Sequence, residues 1–494
     1  MNKRFAFSVL FTAALAAVLS GCSAVGPDHQ RPAAVADARF ISAGATAVNT
    51  QAPAADIATF WRGFNDARLS ALVERALQAN GDVRIAQARL QEARANQGEA
   101  DAAGLPGVGI DTSVERSVRP ITQQPGTTRS ARTGTAYDAS FVANWEIDLF
   151  GGVRRSREAA AARVSASEAG LSAAHTAVAA EVARNYLELR GLQERLRVTQ
   201  ASLVNQRDAL GITNARVDNG RGTQLDLARA RGLVASTEAA VPLLQTAIER
   251  GVFRLATLTA QTPRALLAEL SAPAPLPGLP VTDLATLPVG TTEQWLQRRP
   301  DLIAAERELA AATANIGVAT AALYPRLSLS GLLGLNAARI GDLNDSQSAR
   351  YALGAGISWT PFDFGAIRSR IRASEARAQQ SLASFEQTVA VALEETEGAF
   401  SSYSRSAERA EKLDVAARSA EEAAGLARLR YDAGVTDFLA VLDAEREVLN
   451  TRDQLVQAQV GTATALVSVY RALGGGWTPP PATATTVGQG PASR

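Results

Sequence analysis

The residues best placed to do chemistry sit in two short stretches, Arg216-Val-Asp218-Asn-Gly220 and Arg430-Tyr-Asp432-Ala-Gly434, the second followed by Val435 and Asp437. An arginine, an aspartate two places on and then a glycine supply a charged donor, a carboxylate and a residue that tolerates left-handed backbone. That is the composition of a helix terminator. Multiplied by symmetry in an assembly, Asp432 and Asp437 would form carboxylate rings that narrow a passage and favour cations. Arg430 and Arg216 would tie neighbouring helices to those acids. Asp437 aligns with Thr223 of the first stretch, so such a ring draws mainly on the second. A third chemistry belongs to Cys22, the only cysteine, which follows Leu19-Ser-Gly where a bacterial lipoprotein signal needs the thiol that accepts diacylglycerol. Catalysis has no comparable candidate. The chain has two histidines, His29 and His175, and neither a GxSxG elbow nor an HExxH pair, so no enzyme and no metal site is expected. Lys plus Arg number 50 against 49 Asp plus Glu, which leaves no basic surface for nucleic acid.

The elements that position these residues occur twice. Trp145, Phe150, Gly151 and Arg154 return 214 residues later as Trp359, Phe364, Gly365 and Arg368, and the same offset carries Arg216, Asp218 and Gly220 onto Arg430, Asp432 and Gly434. Asp82, Gly98 and Pro106 match Asp301, Gly317 and Pro325 at an offset of 219. A fixed spacing of this kind marks one duplicated structural unit. The first copy, 68–260, reads as a helix closed by Pro106, a β-hairpin over 108–148, a long helix over 151–215 and a return helix over 223–260. The hairpin follows from strict alternation: Val108, Ile110, Thr112 and Val114 against Gly109, Asp111, Ser113 and Glu115. Val182, Leu189, Leu196, Leu203, Leu210 and Val217 recur every seventh residue and mark a coiled-coil-like seam on the long helix. The second copy, 292–473, repeats the order with a hairpin over 326–361, a long helix over 365–430 and a return helix over 437–473. Between the copies, 261–291 reads as a Pro-rich linker. Residues 1–21 read as the signal peptide, 22–67 as an irregular lead and 474–494 as a disordered tail.

Long helices of this size would be rods of about 100 Å. No segment after the signal is apolar enough for a membrane helix, so any crossing must use strands. Four strands cannot close a barrel, and hairpins with one apolar face would leave that face and their edges bare. The chain must therefore oligomerise: three chains give twelve strands and two give eight, both allowed for outer-membrane barrels.

Taken together, Cys22 in its lipobox, Val25-Gly-Pro-Asp28 behind it, the repeated Asp82-to-Pro106 segment, the hairpins ending in Phe-Gly and the two Gly-terminated turns resemble the outer membrane factors, the TolC-like exit ducts, in their NodT/OprM-type lipoprotein branch. The resemblance spans essentially the whole mature chain. It implies a mostly α protein with membrane β, a homotrimer whose twelve-stranded outer-membrane β-barrel continues as a twelve-helix periplasmic α-barrel, and a mixed α/β equatorial belt made by the lead, the Pro-rich linker and the C-terminal part. It implies a lipid on Cys22 as the sole attached group, with Ser23 fitting retention in the outer membrane of a Gram-negative bacterium. The implied partners are a periplasmic adaptor protein and an inner-membrane pump of RND type, and the cargo small amphiphilic or toxic compounds, antibiotics included. On that resemblance Gly220, Gly434 and Val435 form the adaptor-docking tips. Arg216, Asp218, Arg430, Asp432 and Asp437 form the periplasmic gate. A type I protein-secretion exit and a lipid-anchored periplasmic scaffold without a pore are the alternatives.

Overall fold

The computed structural model describes residues 24–32, 55–280, 295 and 297–477. The signal peptide, Cys22, most of the lead, residues 281–294 and the tail beyond 477 lie outside the described residues. Contacts divide the chain into two compact units, one holding Met1–Ala33, Arg89–Glu168 and Ala304–Glu386, the other the remainder.

The first unit contains a single antiparallel sheet of β1 (Gly107–Val118), β2 (Thr133–Ile147), β3 (Arg326–Ala337) and β4 (Ala349–Ser358), in that order. The two expected hairpins are therefore not separate, because β2 pairs with β3 from Tyr137 opposite Ala337 to Ile147 opposite Leu327. The register sorts side chains by face. Ile110, Phe141, Leu333 and Tyr351 stand opposite one another across all four strands, and Val108, Ala143, Gly331 and Leu353 form the neighbouring row. Ile110, Leu353 and Tyr351 are largely exposed within the chain. The other face is polar: Asp138 lies between Ser113 and Asn336, accepts from Ser140 Oγ at 2.6 Å and Asn336 Nδ2 at 3.1 Å, and pairs with Arg350. Bare apolar and satisfied polar faces on strands of 10 to 15 residues suit a sheet standing in lipid.

Each hairpin is stapled to the helix before it. Trp145 Nε1 donates to the Gly104 carbonyl and Trp359 Nε1 to the Leu323 carbonyl, both at 3.0 Å, so the repeated tryptophans hold the helix-to-strand bends ahead of Pro106 and Pro325. Residues 24–29 are strapped to the same unit. Arg155 donates to Val25 O at 3.1 Å, to Gly26 O at 3.2 Å and to Asp28 Oδ1 at 2.6 Å, and His29 Nε2 meets Glu306 Oε1 at 2.6 Å. Gly26, at φ +93°, crosses the backbone of Gly317 so closely that neither position has room for a Cβ.

The second unit is built around α1 (Ala67–Ala79) and the buried faces of the long helices. Four helices continue through both groups of residues: α2 (Gly81–Ala102), α3 (Gly152–Asp218), α6 (Pro300–Ala321) and α7 (Ala366–Asp432); α4 (Gln224–Leu258), α5 (Pro263–Leu270) and α8 (Phe438–Ala472) belong to the second alone. At 67 residues each, α3 and α7 are about 100 Å long. The sevenfold seam is buried at Val182, Leu189 and Leu203 and half-buried at Leu196, Leu210 and Val217.

Two readings of the sequence need correction. The stretch from Arg68 to Ala103 is two helices, not one, because Asn80 interrupts it. Its Oδ1 accepts from Asp82 N at 2.8 Å and caps α2, while its Nδ2 donates to Leu258 O at 2.9 Å. Arg299 breaks the second copy at the equivalent place and reaches Ala472 O, the counterpart of Leu258, at 3.4 Å. The expected 261–291 linker opens with the helix α5. Thr262 caps it, Pro263 takes its first turn, and Leu266 and Leu270 are fully buried.

Tyr186 on α3 is fully buried and donates its hydroxyl to Asp66 Oδ2 at 2.6 Å. Burial, with Asp66 adding to it, pushes the phenol up to about 12. A phenol raised above its ordinary value of about 10 contributes stability that is complete below pH 10 and lost as pH rises through 12. Thermal melts from pH 9 to 12 are expected to show a steeper alkaline loss for the wild type than for Tyr186→Phe; parallel curves would contradict the assignment.

Candidate functional site

The two turns that carry the charged residues are built to one plan. In the first, Gly220 N donates to Val217 O at 3.0 Å and Arg221 N to Arg216 O at 2.8 Å; in the second, Gly434 N donates to Tyr431 O at 3.0 Å and Val435 N to Arg430 O at 2.9 Å. These are paired Schellman closures, and Gly220 and Gly434 take the left-handed conformation they require, at φ +68° and +75°. The chain re-enters a helix within a few residues each time. Thr223 caps α4 by accepting from Asp226 N at 3.1 Å, and Asp437 caps α8 by accepting from Ala440 N at 3.3 Å. The alignment of Asp437 with Thr223 thus reflects a shared capping duty.

Arg216 is where the two turns meet. Its guanidinium lies over the Tyr431 ring at 3.9 Å from the centroid and donates to the Tyr431 carbonyl at 3.1 Å. The sequence pairs Arg216 with an acid; within the chain its partner is an aromatic face and a helix-end carbonyl, a geometry a planar guanidinium suits. Tyr431 packs on Phe438 with ring centroids 5.2 Å apart, and both are buried with Leu233, Val441 and Leu442. Tyr431 and Phe438 are the positions packed at this turn that charge-led reading passes over. The apolar spacing Phe438, Val441, Leu442 behind the Asp437 cap was their signal. Asp218 accepts from Asn214 Nδ2 at 3.2 Å, and Asp432, Arg430 and Val435 are exposed. Arg430 makes no ion pair among the described residues. The site is therefore a pair of helix ends, joined by Arg216 and Tyr431 and presenting charge at Arg430, Asp432 and Asp437 that is unpaired among the described residues.

The sequence model described as outer membrane efflux protein matches residues 72–261 and again 291–475, one match per copy of the repeat. The chain belongs to the outer membrane efflux protein family. Among its relatives, the pyoverdine export outer membrane protein OpmQ of Pseudomonas putida is 33% identical over 433 residues, covering 85% of this chain and 88% of OpmQ. The toluene efflux pump outer membrane protein TtgI of Pseudomonas putida is 30% identical, covering 93% of this chain and 96% of TtgI. Among solved structures, the outer-membrane channel OprN superposes with a TM-score of 0.85 at 39% identity, over 92% of this chain and all of that one. The fold of this family member is that of the TolC-like outer-membrane channels, and its place is the outer membrane. The helix turns described above are where its two long helices end.

Proposed function

We propose that three copies of this efflux protein form the exit duct of a tripartite pump, passing small toxic or amphiphilic compounds passively from a periplasmic adaptor and an inner-membrane, proton-driven pump to the outside. The observation that carries the proposal is the four-stranded sheet with one bare apolar face and two open edges, on the same chain as two helices of about 100 Å. Closing the sheet needs further copies, and three give twelve strands. The helices then line a tube long enough to leave the membrane far behind. Cargo is drawn from the relatives: pyoverdine export and toluene efflux are both small-molecule tasks. Cys22 carries the lipid anchor in this reading.

The helix turns form the gated mouth and the adaptor-docking tips. Arg430 and Asp437 are exposed and, among the described residues, have no side-chain partner beyond the α8 cap, so they are available to pair with neighbouring chains, while Arg216 fixes the two turns of one chain to each other. Adaptor contact at Gly220, Gly434 and Val435 would open the mouth by replacing those pairs. Arg430→Ala combined with Asp437→Asn, which keeps an oxygen for the cap but removes the charge, is expected to raise single-channel conductance severalfold in planar bilayers without loss of assembly. Conductance identical to that of the conducting wild type would remove these residues from the gate.

A further inference from the structure

Two clefts in the first unit are copies of one another with different charge. The larger, 770 Å³, lies along α6 and α7 and is lined by Arg163, Glu308, Asn315, Arg370, Arg377 and Gln380, together with serine and alanine positions. The smaller, 650 Å³, lies along α2 and α3 and shares Arg163, Glu308 and Asn315. Their walls correspond by the repeat offsets: Arg377 is the counterpart of Arg163, and Asn315 of Asn96. The charges do not correspond. Arg370 of the larger cleft stands where the smaller has Ser156, while Glu92 and Glu99 of the smaller are replaced by Ala311 and Val318. Counting the shared residues in both, the larger cleft holds three arginines and one glutamate, and the smaller two arginines and three glutamates.

Some arginines of this unit have acids at hand: Arg94 pairs with Glu168 at 2.8 Å, and Arg155 with Asp28 and Glu158. Among the described residues Arg163 and Arg377 make no hydrogen bond or ion pair, and Arg370 has only an electrostatic attraction to Asp363. Three exposed guanidiniums lining one cleft, none in an ion pair among the described residues, are a set of donors open to a ligand, and guanidinium forks match carboxylate and phosphate oxygens.

We propose that the larger cleft is an anion-binding site for compounds carrying two or more carboxylate or phosphate groups, held by Arg163, Arg370 and Arg377 with Asn315 and Gln380 as neutral donors. The cleft spans three helices, α3, α6 and α7, and in the closed tube of the proposed duct we assign it to the lumenal wall. The bound anion is then cargo in transit, a conclusion that rests on the duct reading, whereas the site itself does not. The sister cleft lacks this property because Ser156 supplies no charge and Glu92 and Glu99 repel anions.

Isothermal titration of the detergent-solubilised, full-length protein with citrate tests the site without any need for current. The wild type is expected to bind one citrate per chain. Arg370→Gln with Arg377→Gln should weaken binding at least about tenfold, the loss of two charge-assisted hydrogen bonds. Arg89→Gln, which removes a charge from the sister cleft alone, should leave it unchanged. No binding by the wild type, equal binding by the double variant, or an equal loss in Arg89→Gln would each overturn the proposal. Citrate binding by a protein that passes no current even with Arg430→Ala and Asp437→Asn would retain the site and remove the duct.

Discussion

Leu353→Arg is expected to keep the protein out of the outer membrane. Leu353 is 86% exposed within the chain and sits in the row with Val108, Ala143 and Gly331, on the face that carries Ile110, Phe141, Leu333 and Tyr351. A guanidinium on the lipid face near the bilayer midplane costs about 2–4 kcal/mol, and assembly repeats the penalty in every copy. The neighbouring Ala352 points to the opposite face, where Asp138, Ser140, Asn336 and Arg350 already form a polar cluster, so Ala352→Arg serves as the control. The fraction of protein sedimenting with outer membranes should fall steeply for Leu353→Arg and little for Ala352→Arg. Equal behaviour of the two variants would mean that the faces have been assigned wrongly.

Arg299→Ala carries the largest expected loss of stability. The side chain is 6% exposed, and its guanidinium donates to Asp301 at 2.7 and 3.0 Å, to Glu395 at 2.8 Å and to the carbonyls of Ala392 and Ala472 at 3.4 Å. Trp295 lies beneath it, fully buried, and donates its own indole N–H to the same Ala472 carbonyl at 2.9 Å. Those acids hold the guanidinium charged against the desolvation that opposes it. Truncation takes Arg299 from two carboxylates, leaving Glu395 only Arg471 at 3.5 Å, and empties a buried space, for which about 3 kcal/mol is the expected cost, the low end for breaking a buried pair because Asp301 and Glu395 keep some water. Arg299→Lys should recover only part, since a single ammonium cannot serve both acids and both carbonyls. Denaturant midpoints of the solubilised protein measure this. A change below about 1 kcal/mol would show that the cluster is dispensable.

Asn80 and Arg299 also mark the limit of what the sequence discloses. The duplication, the helix-closing prolines at 106 and 325 and the period-two strands are local signals, and each has its element in the structure. The left-handed glycines at 220 and 434 are equally local, because only the backbone of a Schellman closure is involved. Asn80 and Arg299 break their helices through partners far along the chain, Leu258 and Ala472, and no window of propensity contains both ends of such a bond. The same holds for β2 with β3, nearly two hundred residues apart in sequence, where alternation fixes the face of each strand but not its neighbour. At the helix turns the charged residues were legible from their spacing, whereas the bond from Arg216 to Tyr431 was not. It joins the two copies, and charge complementarity points to an acid instead. In the clefts the repeat becomes informative where it fails: Arg370 against Ser156 shows a charge that one copy has and the other lacks.

The central claim is that this chain closes a conducting duct only as a trimer. Purified protein in detergent should have a light-scattering mass, corrected for detergent, three times that of the chain, and the same preparation in planar bilayers, bearing Arg430→Ala and Asp437→Asn to relieve the mouth, should show discrete single-channel steps. A folded monomer or dimer, or a trimer whose relieved form passes no current, would contradict the account.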